Sequence, residues 1–142
     1  MRTRNFGRTA AAALCFGLIL ALAGTVFGAD RKVGDKTFAS AATHAAGTAY
    51  STGMLVENYT EGLILVSVSG VSGVPSFSLV AETSEDNSTY YHHSTIASGI
   101  NATGATAYQI TNFGKYLRMK QVVSGPDGNE TITYEIEGVF KN

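Results

Sequence analysis

Three histidines, eleven carboxylate side chains and a scatter of serines are the groups in this chain with reactive potential, and their spacing limits what they do. His92 and His93 are adjacent, so in a strand their side chains leave on opposite faces, and His44 is remote from both in sequence. The densest oxygen clusters are Glu82, Glu85, Asp86 and Asn87, then Asp127, Asn129 and Glu130. Neither has the spacing of an EF-hand loop, and acidic turns commonly bond their own backbone instead of a cation. Glu135 and Glu137 on one strand face would stand about 7 Å apart, within the inverting-glycosidase range, yet every strand with alternating glutamates has that geometry. No serine sits in a G-x-S-x-G elbow; Ser72 reads as a turn residue, and Gly70-Val-Ser-Gly73 lacks the lysine and following helix of a phosphate loop. The expectation is a protein that is not an enzyme and uses no metal or cofactor.

Groups suited to recognition are better represented. Tyr90 and Tyr91 follow a polar turn, and exposed aromatics beside Asn and acidic side chains are what a glycan-binding surface uses. With no Trp in the chain, some tyrosines are needed for the core instead. Lys115, Arg118 and Lys120 form the basic cluster of the C-terminal half; Arg118 and Lys120 fall on one strand face, where they would pair with Glu135 and Glu137 across a sheet or with an acidic surface of a neighbouring subunit.

The elements that must hold these residues are strands. Gly62–Ser69 is aliphatic and β-branched, and Phe77, Leu79 and Ala81 alternate with Ser78, Val80 and Glu82; the turn cluster Gly70–Pro75 between them suggests a hairpin-like unit. Tyr90–Ile96, Ala107–Phe113, Tyr116–Val123 and Thr131–Phe140 continue the series, separated by Gly, Asn, Asp and Ser turns. In the last of these Ile132, Tyr134 and Ile136 alternate with Thr133, Glu135 and Glu137, the mark of one buried and one wet face. The fold expected is all-β: an antiparallel two-sheet β-sandwich of seven or eight strands with jelly-roll-like connections, occupying residues 51–142.

Residues 1–29 read as a secretory signal peptide. Arg2, Arg4 and Arg8 precede an uncharged run from Ala10 to Ala29, Val26 and Gly28 suit the positions before a cut, and charge returns at Asp30. The only cysteine, Cys15, lies inside this leader, so the exported domain is expected to be held without disulfides. The formal charge of −1 includes the three leader arginines, and without them the chain is too acidic for nucleic acid to be a partner. Contact with a membrane is expected only through the leader during export, and the destination is extracellular or the cell surface. Asn58, Asn87, Asn101 and Asn129 each begin an N-x-Ser/Thr triplet and are candidate glycosylation sites, although Asn, Ser and Thr also crowd the turns of any β protein.

Residues 30–50 differ from the rest. They pass from a charged start to a low-charge Ala/Thr/Ser stretch whose only large apolar residues are Phe38 and Tyr50, a poor strand by itself. This segment is expected to be an extended arm in which Thr37, Phe38, Ala39, Ala41, Thr43 and Tyr50 engage the sheet edge of a neighbour. From Thr37 to Gly114 there is no Lys or Arg, so the usual charged protection of sheet edges is missing.

The run Val66–Pro75, then Phe77–Asp86 with Tyr90-Tyr91, then Thr111–Arg118, resembles small β-sandwich domains encoded among tailed-phage virion and prophage proteins. Tyr90 stands where those domains usually carry Trp, and the export leader has no counterpart in virion proteins. The resemblance implies a structural or decoration module. Taken together, these readings lead us to expect an exported structural protein that polymerises head to tail with itself as a filament or surface layer. A secreted glycan-binding module and a phage-type virion decoration protein are the alternatives.

Overall fold

The computed structural model describes residues 33–142; the expected signal peptide, and residues 30–32 of the expected arm, lie outside the described residues. Nine strands follow in order: β1 (Val33–Ala45), β2 (Gly47–Tyr50), β3 (Met54–Leu55), β4 (Glu61–Ser72), β5 (Ser76–Ser84), β6 (Tyr91–Ile100), β7 (Gly104–Thr111), β8 (Tyr116–Ser124) and β9 (Thr131–Lys141). They form two antiparallel sheets. The first has the order β1-β9-β4-β7, and the second the order β2-β8-β5-β6, with β3 also paired to β8.

This wrapping is a jelly roll. The first strand lies beside the last, and most connections carry the chain from one sheet to the other. Alternation supplies the glue. Ile64, Val66 and Val68 of β4 and Ile132, Tyr134, Ile136 and Phe140 of β9 point inward, where they meet Phe77, Leu79 and Ala81 of β5 and Leu117, Met119 and Val123 of β8. Intervening residues face solvent, as the alternating burial of β8 and β9 shows.

Two expectations are corrected. The segments around Leu63–Ser69 and Phe77–Thr83 do not form a hairpin, because β4 and β5 belong to different sheets. Gly73, at φ 77°, and the buried Pro75 turn the chain over the top of the sandwich; an arch between sheets and a hairpin within one sheet have the same alternating pattern on both sides of a Gly/Pro turn. Nor is the N-terminal segment a free arm. Residues 33–45 form β1, hydrogen-bonded to β9 of the same chain from Val33↔Lys141 to Ala45↔Thr131, and β2 pairs with β8. The reason is one anchor plus an available edge. Phe38 is 5% exposed and packs edge-on against Phe140, while small side chains let the backbone of β1 satisfy the otherwise open edge of β9.

A polar link crosses the core. Tyr134 stacks between His44, at 4.4 Å, and Phe77, at 4.5 Å, and its hydroxyl donates to Gln121 Oε1 at 2.8 Å. Burial pushes the phenol from 10.0 up to about 12. A phenol whose pKa is higher folded than unfolded favours folding while it is protonated, so this contribution is complete below pH 10 and is lost as pH rises toward 12. Alkaline unfolding followed by circular dichroism should therefore show stability falling across that window, with Tyr134→Phe flattening the fall; an unchanged profile would refute the assignment.

Candidate functional site

The outer face of the β2-β8-β5-β6 sheet brings Arg118 together with Tyr90 and Tyr50 in one cluster. Arg118 stands on β8 between Glu82 of β5, its register partner, and the tyrosines at the sheet margin. Its Nη2 lies 2.7 Å and its Nε 2.8 Å from Glu82 Oε2. The guanidinium also lies over two rings, 3.9 Å from the Tyr90 centroid and 4.6 Å from that of Tyr50. The planar cation is thus held by a charge-assisted pair in its plane and by two ring quadrupoles.

The loop after β5 sets Tyr90. Asp86 accepts the backbone N–H groups of Ser88 and Thr89, each at 2.9 Å, and the hydroxyl of Ser84, also at 2.9 Å. These bonds, with Thr89 and Ser88 leading, hold its carboxyl well below the ordinary carboxylate range. Asn87 takes the left-handed conformation at φ 60°, and its Oδ1 accepts from the Tyr90 hydroxyl. Burial raises the Tyr90 phenol above its usual value, while Arg118 beside it works the other way. The second acidic turn is likewise spent on its own loop, since Glu130 accepts the Asp127 N–H at 3.0 Å and is lowered by it. Among the described residues no three His, Cys, Asp or Glu side chains converge as a metal site would require.

The sequence marks Tyr90 as a recognition tyrosine and Arg118 as part of a basic cluster without linking the two; the structure sets them side by side, and several pairings differ from expectation. Arg118 and Lys120 cannot pair with Glu135 and Glu137 across a sheet, because β8 and β9 are in opposite sheets. Lys115 pairs with Glu57 at 3.3 Å instead. Tyr91 parts from Tyr90: it is 66% exposed and lines a shallow hollow with Thr83, Ser84, Glu85, Asp86 and Thr89. Tyr50, expected on an arm, reaches Arg118 from β2, and Glu82, read only as a member of an acidic cluster, was not foreseen as the partner of Arg118. Its only sequence signal was an acidic residue on the wet face of a strand, and its partner is set by which strands become neighbours. Thr37, Ala39, Ala41 and Thr43 lie along β1, where the Thr43 hydroxyl bonds that of Thr133 at 2.7 Å. Asn58, Asn87, Asn101 and Asn129 are all exposed in loops at the two ends of the sandwich.

The opposite outer face, built from β1, β9, β4 and β7, is acidic. Asp35, Glu61, Glu135 and Glu137 project there, with Lys141 paired to Glu61 at 3.1 Å. Lys120 on one face, and Glu135 and Glu137 on the other, have no ion-pair partner among the described residues.

Replacing Arg118 with alanine should destabilise the fold by about 1–3 kcal/mol, since it strands the Glu82 carboxylate and uncovers both rings. Lysine should recover little of the loss, lacking the planar fork. Urea unfolding of both variants decides it, and equal stability of R118K and the parent chain would show that the cluster is ornamental.

No protein-family model matches the sequence, and no curated protein matches it either. Solved structures do. A chain in the structure of infectious bursal disease virus, Gx strain, superposes with a TM-score of 0.60 at 12% identity, over 79% of this chain and 32% of the viral one. A chain of the Gt strain structure gives 0.56 at 10% identity, over 80% and 33%. This chain therefore spans about a third of the length of either viral chain, and what it shares with them is the β-sandwich fold.

Proposed function

We propose that this chain is an exported, non-enzymatic structural subunit that associates with copies of itself into an extracellular filament or surface layer. The observation that carries the reading is a jelly-roll sandwich, of the kind seen in chains of virus structures, whose two outer faces differ in charge. Lys120 on the β2-β8-β5-β6 face complements Glu135 and Glu137 on the β1-β9-β4-β7 face, so face-to-face stacking is head to tail and does not close. The sandwich takes part intact, because β1 is committed to its own β9.

Particle decoration is a second reading supported by the same structural likeness. The glycan alternative now rests on Tyr91 alone, since Tyr90 is engaged by Arg118.

The test is the native mass of the secreted protein by light scattering, with negative-stain microscopy, across protein and salt concentration. Large species that shrink with added salt are expected. A solitary subunit at high concentration would overturn the proposal.

A further inference from the structure

The four sheet edges, formed by β1, β7, β6 and the pair β2 and β3, are not equally protected. β1 pairs with β9 through two register irregularities and carries Asp35 and Lys36; β6 pairs with β5 through three. β2 is four residues long and β3 two. Bulges, charge and shortness are the devices that keep sheet edges from pairing with other chains. β7 has none of them. Its eight residues pair with β4 without a shift, from Glu61↔Thr111 to Val68↔Gly104. Every residue of it except Tyr108 and Ile110 is exposed.

The surroundings of β7 are neutral as well. No Asp, Glu, Lys, Arg or Pro occurs from Asn87 to Gly114, a run that includes both β6 and β7. Each of these is the last strand of its sheet, and the link 101–103 joins them, so together they form one uncharged flank of the sandwich. The rest of the described chain is acidic, with ten carboxylate side chains against five Lys and Arg. Two identical copies repel one another through most of their surface, and this flank is where that repulsion is least.

We infer that β7 is a homotypic docking edge, on which the β7 strand of a second copy pairs antiparallel about a two-fold axis. An open row of backbone N–H and C=O groups selects an extended strand, and antiparallel self-pairing sets the same uncharged residues against themselves. Gly104, Ala105 and Ala107 keep side-chain bulk low along the edge. The contact fuses two four-stranded sheets into one of eight, β1-β9-β4-β7 running on into its symmetry copy. It rests on the self-association proposed above and adds to it a specific isologous contact, separate from the head-to-tail stacking of faces.

The test is sedimentation of the mature secreted chain beside Ala107→Lys, which charges the exposed edge, and Thr48→Lys, which adds the same charge on the opposite flank. A parent chain that dimerises, an A107K variant whose dissociation constant rises about tenfold or more with an unchanged melting temperature, and a T48K variant like the parent are expected. Association that A107K leaves intact, or that T48K weakens equally, overturns the edge contact while leaving self-association standing. A discrete dimer with nothing larger supports the edge and removes the polymer reading. A parent chain that stays solitary overturns both.

Discussion

Deleting residues 33–45 is expected to abolish cooperative folding, not to release a trimmed but stable sandwich. The deletion removes Phe38 from the core, where it is 5% exposed and packs against Phe140 at a ring separation of 6.2 Å. It also removes the His44 ring from Tyr134 and the strand paired to one edge of β9, leaving β9 bonded to β4 alone. Loss of a buried phenylalanine costs about 3–5 kcal/mol, a large share of the roughly 5–15 kcal/mol that holds a domain together. Adding an uncovered β9, with its apolar inner face at a raw edge, exceeds what remains. Far-UV circular dichroism and urea titration of the truncated chain make the comparison. A sharp unfolding transition near that of the parent would mean that β1 is dispensable to the fold, and would restore the idea of an arm free to reach a neighbour.

Phe140→Ala should be the most damaging single substitution in the core, with a loss of about 3–5 kcal/mol. The ring is fully buried and lies among Phe38, Tyr59 at 5.9 Å and Phe113 at 5.5 Å. Two glycines make room for it: a Cβ on Gly62 would stand 2.6 Å from Phe140 Cδ1, and one on Gly138 would stand 2.5 Å from Cε2. Neither position carries a side chain able to swing into the vacated volume, so the cavity persists. The converse change, Gly138→Val, crowds the same ring and should cost about 1–3 kcal/mol. Melting temperature and urea midpoint report both. A loss below about 1.5 kcal/mol for Phe140→Ala would show that the aromatic cluster collapses around the hole, and that the glycines are not its rigid frame.

Much of this architecture was legible in the order of the residues. Ile132, Tyr134 and Ile136 set against Thr133, Glu135 and Glu137 define the buried and wet faces of β9 before any neighbour is known, because side chains alternate with period two. The Gly, Pro, Asn and Asp clusters mark the ends of the long strands for the same local reason, and the class of fold follows from them. Partnership was not legible. Alternation says which face is inward, never which strand lies alongside, so the arch from β4 to β5 read as a hairpin and Arg118 was matched to glutamates in the wrong sheet. β1 is the clearest case: thirteen residues with one large apolar side chain buried have little strand preference of their own, and they are extended because β9 offers them an edge and Phe140 offers Phe38 a place to pack. Strand preference measures fit to a partly buried pleated surface, and that surface exists only once the other strands have assembled.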